Sequence, residues 1–212
     1  MNTQPKKNSL MNVQYLTQLA ILVAVEIVMK LIGLGSVPVG PLYMSFLTVP
    51  IAVGAIVLGP LASTILGGVF GFVSFMDAIK GASIMTSTLL GVSAIHTFIL
   101  CVGMRLLMGF CVGMVSVGMK KACRNTAAGC FVTSLSAPLL NTLFFMGYIV
   151  LAFYHTDYVQ SLVIAKGATN PLMFVVLLTG VQGAVEAIVC SVAGTAIGSS
   201  VLKAMSRMNG HR

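Results

Sequence analysis

The sequence predicts an all-α membrane protein, a bundle of six transmembrane helices with both ends in the cytoplasm, and three observations carry that prediction. Of the 212 residues, 58% are hydrophobic and only 8% are charged, against roughly 25% charged residues in an ordinary soluble domain. The mean hydropathy is +1.02, so no aqueous fold hides that surface. Apolar runs bounded by Gly, Pro or charge leave room for about six spans of roughly 20 residues each and none for a sizeable soluble domain. The expected division is a tail at 1–12, a transmembrane domain at 13–203 and a second tail at 204–212, in the cell (inner or plasma) membrane of a prokaryote.

The elements follow from the punctuation. A first helix is expected over 13–34. Its lysine-led start resembles a leader, but an apolar run of about 20 residues with Glu26 and Lys30 near its far end reads as a retained span. The loop from Gly35 to Tyr43 leads to a second helix over 45–58. Gly59-Pro60 then marks a tight turn into a third over 61–75. A polar stretch over 77–88 precedes a fourth helix over 89–117, and the basic loop Lys120-Lys121-Ala122-Cys123-Arg124 precedes a fifth over 127–153. A loop over 154–170 opens the sixth, over 171–201.

Net charge is +8, which raises nucleic acid as a partner, but the basic residues gather at the termini and in one loop. Lys6, Lys7, Lys120, Lys121, Arg124, Lys203, Arg207 and Arg212 fall on one side, with Lys80 and Lys166 in the opposite loops. This asymmetry predicts cytoplasmic ends, a lipid bilayer as the environment and no nucleic acid. The outward loops are then the longest and most polar, so the outer face is the expected ligand entrance. The five cysteines have no C-x-x-C pairing, so neither a disulfide framework nor a metal site is expected.

Charged groups inside a bilayer are costly and each needs an account. Glu26 and Lys30 stand one helical turn apart in the favourable order and are expected to neutralise each other. Arg105, Asn141 and Glu186 each fall near the middle of their spans at 1.5 Å per residue, an expected shared layer. Gln182 sits one turn from Glu186 on the same face. Ser134, Asn141 and Tyr148 recur every two turns, and Ser93, Thr97 and Cys101 form a drifting stripe that ends at Arg105. Two readings stay open: an Arg105–Glu186 pair that holds the bundle together, or a layer that lines a small-molecule pocket. His96 is a further candidate contact. Small residues at four-residue spacing, Gly67/Gly71, Gly109/Gly113 and Gly194/Gly198, indicate close helix packing.

No phosphate-binding loop, H-E-x-x-H or G-x-S-x-G motif occurs, so no cofactor, ATP hydrolysis or familiar hydrolase chemistry is indicated. The chain reads as a non-enzyme that does not energise transport alone.

The set Val37-Pro38-Val39-Gly40-Pro41, Val49-Pro50-Ile51-Ala52-Val53-Gly54, Leu58-Gly59-Pro60 and Leu66-Gly67-Gly68-Val69-Phe70-Gly71-Phe72-Val73-Ser74-Phe75 resembles the substrate-binding (S) subunits of energy-coupling factor (ECF) vitamin transporters. Asn141-Thr142-Leu143-Phe144-Phe145 and Glu186-Ala187-Ile188-Val189 resemble the pantothenate-type branch. The resemblance implies a six-helix bundle that binds a vitamin near the outer face, beneath the loop joining helices 1 and 2. It also implies docking on a transmembrane coupling subunit driven by two ATPases, with Ala20 and Ala24 as the docking patch on helix 1. Pantothenate, an anion with hydroxyl and amide groups, suits Asn141, Tyr148 and a cation such as Lys80 or Arg105, with Glu186, Gln182, His96 and Tyr43 as further contacts. Riboflavin or another vitamin-like compound is the alternative substrate. A self-sufficient secondary carrier using Arg105 and Glu186 as a proton-linked pair is the alternative mechanism, and an intramembrane enzyme using His96 and Glu186 the most distant one.

Overall fold

The computed structural model describes residues 13–35, 37–39, 42–123 and 125–210. Of the basic residues that set the expected orientation, Lys6, Lys7, Arg124 and Arg212 lie outside them. In chain order the elements are α1 (Val13–Leu31), a hairpin of β1 (Val37–Val39) and β2 (Leu42–Met44), α2 (Thr48–Val57), α3 (Pro60–Ile79), α4 (Ile84–Val92) and α5 (Ala94–Phe98). A π-helical turn (Ile99–Gly103) then leads into α6 (Met104–Ala122), followed by α7 (Thr126–Phe153), α8 (Asp157–Ala165) and α9 (Pro171–Gly210).

Among the described residues, five helices are long and apolar enough to cross a bilayer: Val13–Leu31, Pro60–Ile79, Ala94–Ala122, Thr126–Phe153 and Pro171–Arg207. The sixth expected span is shorter than its apolar run. Residues 45–47 precede the helix, and α2 has ten residues, about 15 Å at 1.5 Å per residue, or half the hydrocarbon thickness. Every residue from Thr48 to Ile56 is buried, because a helix apolar on all sides has no face to give to water and belongs in the core. It packs among α1, α3, α6, α7 and α9. Gly59, at φ +94°, and Pro60 at the first turn of α3 make the tight turn the sequence predicts.

The other boundaries moved as well. The stretch over 77–88 is not a polar connection: α3 continues to Ile79 and α4 begins at Ile84. The fourth span starts at Ala94 instead of residue 89, because Ser93 adopts an extended conformation and its hydroxyl accepts from His96 N–H, capping α5. The connection over 154–170 contains α8, and α9 runs past residue 201.

The glycine pairs of α3 and α6 form one seam. A Cβ added at Gly67 would stand 2.4 Å from the Arg105 carbonyl oxygen, and one at Gly109 would stand 2.2 Å from that of Ser63. Gly71 and Gly113 extend the contact against Cys101 and Pro60. Backbones in this seam approach closer than any side chain allows, the packing that small residues permit in membranes. The Ser116 hydroxyl adds a 2.9 Å hydrogen bond to the Ala55 carbonyl, tying α6 to α2. Outside, the bundle is apolar: Phe72, Phe110, Leu143, Leu151, Leu172 and Val181 are all exposed.

Candidate binding cavity

A polar layer forms at mid-bundle because the π-helical turn holds one face of the fourth span in register. Its i→i+5 hydrogen bonds widen the turn, so residues four apart stay aligned instead of drifting. Thr97, Cys101 and Arg105 are consequently all buried. The stripe that the sequence leaves drifting ends on a side chain aimed into the bundle.

Arg105 is 7% exposed. Its guanidinium lies over two aromatic rings, Cζ being 4.2 Å from the Phe70 centroid and 4.8 Å from that of Phe145, so two cation–π contacts hold it. Nη1 donates to the Cys101 carbonyl oxygen at 3.2 Å, while Nε has no hydrogen-bond partner. Two rings and one carbonyl fix the plane, leaving the edge for a further acceptor.

Glu186, from α9, is 3% exposed. Its Oε1 has no hydrogen-bond partner. Arg105 and Glu186 line the same cavity together with Asn141 of α7 and Gln182 of α9. Among the described residues no ion pair joins Arg105 to Glu186; the salt bridge found there is Lys30–Asp77. The cavity has an empty volume of about 860 Å³, the space at its open mouth included. Its lining extends from this layer to Gly35, just after α1, and to Asp77 in the last turns of α3.

The remaining candidates sit elsewhere. The Tyr148 hydroxyl and His96 Nδ1 are hydrogen-bonded at 2.9 Å, with His96 edge-on to Phe153, and neither residue lines the cavity. Lys80 is exposed at the end of α3. Tyr43 stands opposite Pro38 in the β-hairpin. Ala20 and Ala24 lie on the exposed face of α1. The expected Glu26–Lys30 pair does not form: Lys30 reaches across to Asp77, while Glu26 is fully buried with both carboxyl oxygens lacking a hydrogen-bond partner. A side chain one turn away competes with one on a packed neighbouring helix, and the neighbour wins. Among the described residues no group of His, Cys, Asp and Glu is placed to hold a metal ion.

Several lining residues carry no mark in the sequence pattern. Phe70 and Phe145 lie inside the motifs quoted above, yet nothing in their spacing marks them as covers for a guanidinium. Asp77, Thr86, Thr142 and Thr179 also line the cavity. Asp77 is one of only four acidic residues in the chain, and that scarcity was the available signal.

A family model described as "ECF transporter, substrate-specific component" matches residues 14–197, from the first turn of α1 into α9. No curated protein matches the chain.

Proposed function

The chain belongs to the family of ECF transporter substrate-specific components, and from that premise we propose that it is the high-affinity vitamin-binding subunit of an importer, with pantothenate as its substrate. The family is one of transporter components and not of enzymes; such components bind small substrates and work with a coupling subunit and ATPases. Five apolar helices and that membership make the chain a multi-pass membrane protein.

The observation that carries the binding reading is the separation of Arg105 from Glu186. Two opposite charges buried in a bundle and meant only for cohesion pair directly, because an unpaired buried charge costs several kcal/mol. Here both face one cavity, each with an unpartnered polar atom. Such a site is complete only with a ligand that accepts hydrogen bonds at Arg105 and donates them to Glu186. Pantothenate meets both demands: its carboxylate fits the open edge of the guanidinium, and its hydroxyl and amide groups reach Glu186, Asn141 and Gln182.

The proposed setting is the plasma membrane of a prokaryote, with the cavity facing outward. The exposed Ala20 and Ala24 supply the surface on which a coupling subunit docks, two ATPases supplying the energy. Lys120, Lys121, Lys203 and Arg207 stand at the end opposite the cavity, which supports that orientation.

The test is to purify the chain, identify any co-purified small molecule by mass spectrometry and titrate pantothenate and riboflavin. The proposal expects pantothenate to bind at micromolar concentration or below. Absence of binding there removes pantothenate as the substrate, and saturable riboflavin binding instead would reassign it.

A further inference from the structure

We propose that the Lys30–Asp77 ion pair is a latch through which the position of α1 controls access to the cavity, a reading that rests on the binding role proposed above. Lys30 lies in the last turn of α1 and Asp77 in the last turns of α3, and Asp77 itself lines the cavity. The bond therefore ties the end of α1 to a residue of the cavity lining, joining positions 47 apart in the chain. Both side chains are mostly buried, 20% and 18% exposed.

The two ends of this link differ in how firmly they are held. Asp77 belongs to α3, which is locked to α6 through the glycine seam, and next to it the Ser87 hydroxyl of α4 donates to the Ala78 carbonyl at 2.8 Å. By contrast, α1 buries only Leu19 and Glu26 of its 19 residues and is the least embedded of the five long helices. When the two separate, α1 is the partner that moves.

Lys30 is also held from its own side. After α1 the chain turns at Gly33, at φ +88°, and the Gly35 N–H donates to the Met29 carbonyl at 3.1 Å. That bond lays Gly35 on the lysine stem so closely that an added Cβ would stand 2.9 Å from both Lys30 Cα and Cδ. Gly35 lines the cavity too. The glycine, the lysine stem and the aspartate thus form one stitch between the end of α1 and the cavity lining. A force on the exposed face of α1 pulls it open, and separating two mostly buried charges requires water to enter between them. Opening the latch and wetting the cavity are then a single event, which joins docking on α1 to release of the substrate.

The latch is read from access to the cavity, with no ligand required. Thr86 lines the cavity and is buried, so the purified full chain carrying Thr86→Cys is treated with a charged thiol reagent, and peptide-resolved mass spectrometry follows labelling at position 86. Adding Lys30→Met or Asp77→Asn is expected to raise the labelling rate about tenfold. The exchange of Lys30→Asp with Asp77→Lys returns it to within about twofold of the parent, and Lys166→Met, at an exposed lysine beyond α8, leaves it unchanged. Gly35→Ala, which displaces the lysine stem while keeping both charges, raises it as well and serves where Asp77→Asn folds poorly. Unchanged labelling in Lys30→Met and Gly35→Ala overturns the latch, as does a charge exchange that labels as fast as the single variants. Adding pantothenate to the parent separates the two claims: failure to protect position 86 counts against the substrate, while the ligand-free rates decide the latch.

Discussion

Arg105 illustrates how a costly residue becomes useful. Its cation is held by two rings and one carbonyl, an arrangement that needs the flat, delocalised guanidinium and not merely a positive charge. Arg105→Lys keeps the charge and loses the plane, so pantothenate affinity should fall about tenfold or more, measured by titration calorimetry, with the melting temperature little changed. Glu186→Gln tests the other pole: it removes the acceptor charge at nearly constant shape, and the loss should be greater for a ligand rich in hydroxyl donors than for one lacking them. The Tyr148–His96 pair should behave differently. Tyr148→Phe breaks a 2.9 Å hydrogen bond outside the cavity lining, so it should cost about 0.5–1.5 kcal/mol of stability and leave affinity within about twofold. Arg105, Asn141, Gln182 and Glu186 could be grouped from sequence because depth along a helix is a simple count. Their aromatic covers could not, since which Phe faces an arginine depends on how two helices rotate against each other.

Among the elements, the seam between α3 and α6 sets the rigidity of the bundle. Gly109→Ala places a Cβ 2.2 Å from a backbone oxygen, and backbone cannot rotate aside as a side chain can. The helices must part, at a cost of about 1–3 kcal/mol, seen as a lower unfolding midpoint in detergent; Gly118→Ala, where nothing lies within 4 Å of the new Cβ, should cost almost none. The G-x-x-x-G pairs were visible in the sequence, but their partners were not, because a spacing names a face without naming what it meets. The same gap explains α2. Its apolar run reads as a membrane span, whereas the run is apolar because the helix is enclosed on every side. It explains Lys30 too: a carboxylate one turn away is the nearest partner in sequence, and Asp77 is the partner in space.

At the scale of the whole molecule, the proposed function divides the chain into a surface for partners and an interior for cargo. Ala20 and Ala24 are exposed on the loosely held α1, away from the polar layer. Replacing both with Leu should abolish uptake while leaving substrate affinity unchanged, a combination that simple unfolding cannot produce; loss of both together would contradict the division of labour. No phosphate-binding loop occurs in the sequence, and the family to which the chain belongs is one of substrate-specific components that work with a coupling subunit and ATPases. Cargo identity was the least legible property, because it depends on side chains from five helices meeting around one cavity. The central claim is that this bundle binds but does not pump. It is tested most directly by measuring uptake of radiolabelled pantothenate in cells expressing the chain with and without a coupling subunit and its two ATPases. The account predicts accumulation only when all are present, and sustained accumulation from the chain alone would contradict it.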